Sequence, residues 1–253
     1  MNNILTKKYF NASHIKWIAI VTMLIDHIGA TIVEKMYFSH LTFFWNNLYL
    51  TCRTIGRIAF PLFAFFIVEG FMHVKNDNKR LLRYLFRLFI FIFISEIPFD
   101  LAFNNSIIEF SYQSVYFTLF LGLLAITSLE YLKKYLKTKI SNITFQKIVI
   151  FSAFIVTICA FIIIANILKT DYSAVGIITI VLLYLLYKHK ELGMLLAIMC
   201  LTYKSSLEIF AIVDILILWQ YNGQRGKQNK FFFYTFYPIH LLILGLLTKF
   251  TLV

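Results

Sequence analysis

The stretch IKWIAIVTMLIDHIGATIVEKM, residues 15–36, decides the fold class, because it stays apolar for about 20 residues. A helix rises 1.5 Å per residue and the hydrocarbon core of a bilayer is about 30 Å thick, so this stretch predicts a membrane-spanning helix. Further apolar stretches follow it, each bounded by polar residues. The predicted spans lie near residues 15–36, 54–74, 81–102, 112–133, 145–168, 172–188, 191–203, 207–221 and 231–252. We therefore predict an all-α, polytopic membrane helix bundle of about nine transmembrane helices, within a range of eight to ten.

The composition of the whole chain agrees with this prediction. Apolar residues make up 60% of the 253 residues and charged residues 14%, whereas a soluble domain has roughly 45–50% and about 25%. The formal net charge of +12 could indicate nucleic-acid binding in a soluble protein. In a chain this apolar, it indicates basic cytoplasmic loops instead. We expect one membrane domain over residues 1–253, because no linker rich in Gly, Pro or Ser interrupts it.

The basic residues also predict an orientation, since Lys and Arg favour the cytoplasmic side of short loops. With the N-terminus in the cytoplasm, six of the 24 Lys and Arg residues fall on the outer side. These six are Lys35, Arg53, Arg57, Lys169, Lys204 and Lys249. We predict a cytoplasmic N-terminus and an outer C-terminus. The N-terminal region has no small-residue cleavage site, so we expect the first helix to be retained.

Several kinds of site are disfavoured by the pattern of reactive residues. The three cysteines, Cys52, Cys159 and Cys200, lack the paired spacing of a zinc or redox motif and are interpreted as packing residues. The chain has no phosphate-binding GxxxxGK[ST] loop, no HExxH zinc motif and no GxSxG nucleophile elbow. The six histidines have no ligand-like spacing, so we expect no metal site.

Ionisable residues inside a membrane are costly and are therefore candidates for function. Asp26 and His27 lie ten and eleven residues after Lys16, roughly 15 Å into the bilayer. A neutral imidazole at that depth can accept a proton from an amine or a hydroxyl. Adjacent helical residues point about 100° apart, so Asp26 either supports His27 or pairs with an arginine. For His27 itself, the alternative is a hydrogen-bonded core histidine.

The second predicted span begins with Arg53 and Arg57, which share one helical face. Two guanidinium groups on one face suit a phosphate, a pyrophosphate or a pair of carboxylates. Alternatively, they neutralise carboxylates of adjacent helices, namely Asp26, Glu96 and Asp100. Pro61 cannot donate to the carbonyl of Arg57, so we expect the helix to kink there and to leave that acceptor free.

Other polar residues occur in the predicted spans. Glu69 lies near the cytoplasmic end of the second span, where it is either a functional residue or an interfacial charge. Glu96 and Asp100 are spaced i and i+4 on the third span, where we expect an ion-pair network with Arg53. Tyr237 and His240 flank Pro238 in the last span, with His240 in a paired site or a structural role. Glu208 and Asp214 are expected to be network partners.

Six blocks of sequence resemble the TraX family of conjugal-transfer and pilin-acetylating membrane proteins, in order and with similar separations. They are LIDHIGA (24–30), RTIGRIAFPLFAFFIVEGF (53–71), RLFIFIFISEIPFDLAF (87–103), FTLFLG (117–122), YNGQRG (221–226) and FYTFYPIHL (233–241). The resemblance implies a protein of the bacterial inner membrane. It also implies transfer of an acetyl group from cytoplasmic acetyl-CoA to a pilin-like N-terminal amine, or to another cell-surface amine or hydroxyl.

The spacing Lys16-x10-His27 is also similar to the basic-x10-His pattern of integral-membrane acyltransferases, in which the histidine is catalytic. The resemblance thus implies His27 as general base or acetyl carrier, with Asp26 orienting it or a partner arginine. Arg80, Arg83, Arg87 and Arg225 form a cytoplasmic cluster that either binds donor phosphates or contacts anionic lipid. The full candidate set for substrate or donor binding is Lys16, Arg53, Arg57, Glu69, Arg80, Arg83, Arg87, Glu96, Asp100, Arg225, Tyr237 and His240.

A different class of function also fits these residues. In a transporter or an assembly scaffold, the intramembrane Arg, Glu and His residues would form a substrate or proton path. No inverted repeat is recognisable in the sequence, which disfavours a transporter. Consumption of acetyl-CoA distinguishes the two classes, because neither a carrier nor a scaffold transfers the acetyl group.

Overall fold

The computed structural model describes residues 8–104 and 106–251, without the side chains of residues 230, 250 and 251. The described residues form helices and contain no β-strand, which confirms the all-α prediction. The helices are α1 Ala12–Ile28, α2 Glu34–His40, α3 Phe43–Gly56, α4 Ala59–Val74, α5 Asn78–Phe103, α6 Val115–Lys139, α7 Ile143–Ile167, α8 Ser173–Leu185, α9 Lys190–Thr202, α10 Val213–Trp219 and α11 Lys230–Thr251. A π-helical turn, Gly29–Val33, joins α1 to α2, and 3₁₀ turns occupy Tyr187–His189 and Ser206–Ile212.

Five helical segments of the described chain are long and apolar enough to cross a membrane. They are Ala12–His40, Phe43–Val74, Val115–Lys139, Ile143–Ile167 and Phe231–Lys249. The number rises to six if α8 and the following segment Tyr187–Thr202, which meet at 88°, count as one broken span. The predicted number of about nine is therefore not confirmed.

The disagreement in number arises mainly between residues 172 and 221, where the sequence predicts three spans. The structure has short helices there, because α8 and α9 contain 13 residues each and α10 contains seven. Thirteen helical residues extend for only about 20 Å, less than the thickness of the hydrocarbon core. The apolar composition of this region therefore does not mean that each segment spans the membrane.

The helix boundaries follow local sequence signals. The side chains of Asn11, Asp77 and Asn142 accept hydrogen bonds from backbone N–H groups at the starts of α1, α5 and α7. The break between α3 and α4 falls at residues 57–58 and includes Arg57, the residue to whose carbonyl Pro61 cannot donate. Pro238 likewise leaves a carbonyl of α11 without its usual donor, and the Tyr116 hydroxyl donates to that carbonyl of Tyr234 over 3.0 Å.

Helices α1 and α11 begin at the same end of the bundle and run in the same direction. The Ser13 hydroxyl donates to the carbonyl of Lys227 over 2.6 Å, just before α11 begins. About 14 residues further along each helix, His27 meets His240. The last turn of α11 therefore lies at the end opposite the start of α1. We refer below to the end with Ser13 and Lys227 as the inner end and to the opposite one as the outer end, following the predicted orientation.

Candidate functional site

A cavity of about 470 Å³ lies in the outer half of the bundle. It is bounded by α1, the π-helical turn, α3, α5 and the loops that precede α8 and α10. Its lining contains one histidine and a concentration of charged groups. The lining residues are Asp26, His27, Ala30, Glu34, Tyr49, Arg53, Arg57, Phe99, Phe103, Tyr112, Asp171, Tyr172, Lys204, Ser205, Leu207 and Glu208.

Two arginines and two carboxylates form an ion-pair network in the wall of this cavity. Oδ1 of Asp26 lies 2.9 Å from Nη1 of Arg53 and 2.8 Å from Nη2 of Arg57. Arg57 also contacts Oε1 of Glu208 through Nη1 at 2.9 Å. Buried charges need such partners, because their removal from water is costly. Asp26 thus pairs with arginines, one of the two arrangements considered from the sequence, and Glu208 is confirmed as a network partner. The same expectation for Asp214 is wrong, because its two buried carboxylate oxygens have no hydrogen-bond partner among the described residues.

Two glycines allow the helices that carry this network to approach closely. A Cβ atom at Gly56 would lie 2.2 Å from Oδ1 of Asp26, and one at Gly29 would lie 2.6 Å from Cβ of Cys52. Any larger residue at these positions would push α1 and α3 apart. The glycines within the sequence blocks LIDHIGA and RTIGRIAF therefore position Asp26 against Arg53.

His27 contacts the second membrane histidine directly. Its Nδ1 lies 2.6 Å from Nε2 of His240, and Nδ1 of His240 lies 2.7 Å from the carbonyl oxygen of Phe236. The rings of Phe103 and Tyr237 meet the His27 ring edge-on, with centroids 5.6 and 5.8 Å away. The structure thus brings His27, Tyr237 and His240 together across 213 residues of sequence.

The backbone that follows His27 is irregular. Residues Gly29–Val33 form a π-helical turn, and the N–H of Glu34 donates to the carbonyl of Gly29, five residues earlier. The hydroxyl of Thr31 donates to the carbonyl of His27 over 2.6 Å. Single π-helical turns within α-helices occur frequently at functional sites. This one places Glu34 on the cavity lining together with His27.

The outer side of the cavity is built by loop residues that the sequence analysis missed. The Tyr112 hydroxyl donates to the Asp171 carboxylate, and the Lys204 ammonium donates to the carbonyl of Asp171 and lies 4.9 Å from the centre of the Tyr172 ring. Partial burial, reinforced by the Asp171 carboxylate, raises the pKa of the Tyr112 hydroxyl, so it remains a donor at neutral pH. No local motif indicates these contacts, although Lys204 belongs to the basic residues predicted on the outer side.

The expected ion-pair network of Glu96 and Asp100 with Arg53 is wrong. Among the described residues, neither carboxylate forms an ion pair. Glu96 instead accepts from the N–H of Ser114 at 3.4 Å, and Asp100 accepts from the N–H of Glu109 at 2.8 Å. Because α5 packs chiefly against α11, these carboxylates stabilise the loop between α5 and α6 rather than the arginines.

The remaining candidates lie toward the inner end, away from the cavity lining. Glu69 accepts hydrogen bonds from the hydroxyls of Tyr187 at 2.7 Å and Tyr221 at 2.9 Å. Lys16 donates to Oε1 of Gln228 at 2.7 Å and lies over the Phe66 ring.

The arginines of this end make separate contacts. Arg80 pairs locally with Asp77, Arg87 lies over the Tyr234 ring, and Arg83 and Arg225 are exposed. In the described part of the chain, no group of three or more His, Cys, Asp or Glu residues is arranged to hold a metal ion. The polar groups are thus divided between an inner surface and an outer cavity.

Comparison with known proteins adds a family match over nearly the whole chain. The family model described as "TraX protein" matches residues 11–248. Over 263 aligned residues the chain is 29% identical to the "Probable fimbrial assembly protein FimC, serogroup H1" of Dichelobacter nodosus. That alignment covers 93% of this chain and 94% of the relative. No solved structure matches the chain.

Proposed function

The chain belongs to the TraX family, and on that premise we propose that it is a membrane-embedded acetyltransferase acting in pilus or fimbrial assembly. It transfers an acetyl group from acetyl-CoA to an N-terminal amine of a pilin-like acceptor, or to another cell-surface amine or hydroxyl. The observation that carries this proposal is the position of His27 on a cavity beside a buried arginine, Arg57, and a partly exposed one, Arg53. The name of the FimC relative, a fimbrial assembly protein, supports the biological setting.

In this proposal His27 is the catalytic base. The acceptor nitrogen attacks the acetyl carbonyl carbon and forms the new C–N bond, while its proton passes to the imidazole. The C–S bond then breaks, and the departing thiolate receives the proton from His27. In the alternative carrier version, the imidazole nitrogen itself attacks and holds the acetyl group until the acceptor displaces it. Both versions need an unprotonated ring nitrogen on the cavity side.

The arginine network supports the reaction electrostatically. Attack on a thioester places negative charge on the carbonyl oxygen, and prearranged cationic donors stabilise that charge. Arg53 is the more exposed of the two arginines, with 25% of its side chain accessible compared with 10% for Arg57. We therefore assign charge stabilisation to Arg53 and the holding of Asp26 and Glu208 to Arg57. Asp26 positions Arg53 rather than His27.

The donor reaches His27 from the inner end. The basic residues Lys16, Arg80, Arg83, Arg87 and Arg225 suit the phosphates of acetyl-CoA by charge, and in the predicted orientation they face the cytoplasm. His27 lies roughly 16 Å from Lys16 along α1, a distance that the extended thioester arm of the donor has to cover. The acceptor enters through the outer cavity. Donor and acceptor therefore approach His27 from opposite sides of the inner bacterial membrane.

A non-catalytic assembly scaffold is the second candidate. It is favoured by the name of the FimC relative, a fimbrial assembly protein. A neutral set of two arginines and two carboxylates also suits a fixed structural joint. Neither a scaffold nor a transporter consumes acetyl-CoA, and this distinguishes both from an acetyltransferase.

Transfer from radiolabelled acetyl-CoA to synthetic peptides tests the proposal. Protein in nanodiscs is incubated with a pilin-like peptide that carries a free N-terminal amine, and with the same peptide blocked at that amine. We expect label on the free-amine peptide with wild-type protein and none with His27→Ala. A folded wild-type protein that neither releases CoA nor binds acetyl-CoA contradicts the acetyltransferase and favours the scaffold.

A further inference from the structure

The hydrogen bond between His240 and the backbone fixes the proton on one ring nitrogen. A carbonyl oxygen only accepts hydrogen bonds, so Nδ1 of His240, 2.7 Å from the carbonyl of Phe236, carries a proton. In a neutral imidazole one nitrogen is a donor and the other is an acceptor. Nε2 of His240 therefore presents a lone pair to its neighbour.

The neighbour of that lone pair is His27, and the same reasoning extends to its ring. A contact of 2.6 Å between two ring nitrogens needs one proton between them. Since Nε2 of His240 accepts, Nδ1 of His27 donates, and Nε2 of His27 is left without a proton. The two rings lie in largely apolar surroundings, which favour the neutral form of an imidazole.

The packing around the pair holds both rings in this relative position. The His27 and His240 rings are nearly coplanar, with an interplanar angle of 5°. Phe103 and Tyr237 enclose the His27 ring edge-on, and the Phe236 ring lies against His240 with centroids 4.8 Å apart. His240 itself is only 5% exposed. Rotation of either ring would break a hydrogen bond inside an apolar enclosure, which is costly.

We infer that His240 is a positioning residue, which holds His27 in the tautomer whose unprotonated Nε2 faces the reaction. This inference rests on the proposed acetyl transfer for its purpose, although the tautomer itself does not. When Nε2 of His27 accepts the proton of the acceptor amine, the positive charge is stabilised by the Nδ1–H donated to His240. A carboxylate has the equivalent role in Ser-His-Asp triads. Here a neutral imidazole, itself held by a backbone carbonyl, takes that place.

Two variants separate this role from simple packing. Leucine at position 240 fills apolar space but accepts no hydrogen bond, whereas glutamine keeps a carbonyl oxygen as acceptor. We expect His240→Leu to lower kcat roughly 10–100-fold with little change in KM, the usual loss for a second residue that orients a reactive histidine. We expect His240→Gln to recover part of that loss. If His240→Leu and His240→Gln fold equally well and have the same kcat, the inference is overturned.

Nitrogen-15 NMR of histidine-labelled protein in nanodiscs reports the tautomer without any turnover. The His27 signals are assigned by their absence in His27→Gln. We expect wild-type His27 to be protonated at Nδ1 and bare at Nε2, and His240→Leu to show a mixture of tautomers. A wild-type His27 protonated at Nε2 would overturn the inference. If the expected tautomer is found but no acetyl transfer occurs, the proposed function fails while the tautomer assignment stands.

Discussion

The outer cavity and the inner end each contain a carboxylate that is largely shielded from water, but the two carboxylates are stabilised by different partners. At the cavity, Asp26 is held by the guanidinium groups of Arg53 and Arg57. At the inner end, Glu69 is held by the hydroxyls of Tyr187 and Tyr221 and lines no part of the cavity. An arginine beside a cavity keeps its positive charge and further N–H donors for a substrate. A tyrosine hydroxyl that already donates its one proton to a buried carboxylate has no donor left.

This difference suggests that a buried charge in a membrane protein indicates function only when its partners reach a cavity. Glu69 and Asp26 are equally conspicuous in the sequence, and the cost of burying a charge applies to both. We expect substitutions in the outer network to impair acetyl transfer and stability together. Substitutions around Glu69 are expected to change stability alone.

The largest expected effect comes from Arg57→Leu, which leaves Asp26 and Glu208 without their shared partner. Removal of one member of a buried ion pair typically costs about 3–5 kcal/mol. We expect a loss of that size in the free energy of unfolding, measured by denaturant titration in detergent, together with loss of acetyl transfer. Arg87→Leu is the matched control for stability alone, because Arg87 lies over the Tyr234 ring outside the network but is assigned to the donor phosphates. Equal stability of the two variants would contradict the network's role.

The same substitution at Glu69 and Glu208 tests whether the two regions differ in function. Glu69→Gln weakens two hydrogen bonds to a charged group, so we expect a loss of about 1.5–3 kcal/mol in unfolding free energy and normal acetyl transfer. Glu208→Gln leaves Arg57 with a weaker partner beside the cavity, so we expect reduced kcat as well. Steady-state kinetics of the folded variants measure the contrast. A greater loss of kcat in Glu69→Gln than in Glu208→Gln would invert the assignment of the two regions.

Gly56→Ala tests the close contact that positions Asp26. Its new methyl group would lie 2.2 Å from the Asp26 carboxylate, so α1 and α3 have to separate. Overpacking of this kind usually costs about 1–3 kcal/mol, and we expect lower thermal stability with a reduced kcat. Gly193→Ala on α9, where the nearest atom lies 3.2 Å away, is the control. If Gly56→Ala behaves like this control, the ion-pair geometry does not depend on close packing of α1 and α3.

The smallest expected effect is that of Tyr112→Phe at the outer side of the cavity. Loss of the hydrogen bond to Asp171 should cost about 0.5–1.5 kcal/mol. The raised pKa of Tyr112 predicts a pH dependence of this contribution. It is fully present below the unfolded-state pKa of about 10 and declines above it, where the unfolded chain loses the phenolic proton first. Unfolding curves at neutral and alkaline pH measure it, and a contribution that grows with pH would contradict the assignment.

The sequence indicated residues of the outer cavity better than it indicated their arrangement. Asp26, His27, Arg53 and Arg57, which all line that cavity, were recognisable because ionisable residues in an apolar stretch are costly and rare. Both histidines were recognisable for the same reason. Their pairing was one of two alternatives for His240, and the sequence could not decide between them, because 213 residues separate the histidines and no local period relates one helix to another.

The errors also have physical causes. Hydropathy measures how apolar a segment is, but it does not show whether 13 apolar residues cross the bilayer or bend within the bundle. Glu96 and Asp100 share a face with each other, but the packing of α5 against α11 decides which groups that face meets. Tyr112 and Asp171 come together through loops, whose contacts depend on the completed fold.

The most direct test of the account is the release of CoA by purified protein in nanodiscs, with label on the protein followed at the same time. Wild type, His27→Ala and His14→Ala are compared with radiolabelled acetyl-CoA as the donor and the free-amine peptide as the acceptor. His14 is an exposed histidine on the same helix, so its variant controls for loss of an imidazole as such. The account predicts CoA release or bound label for wild type and His14→Ala, and neither for His27→Ala. Equal release by a folded His27→Ala protein, or none by folded wild type, would contradict it.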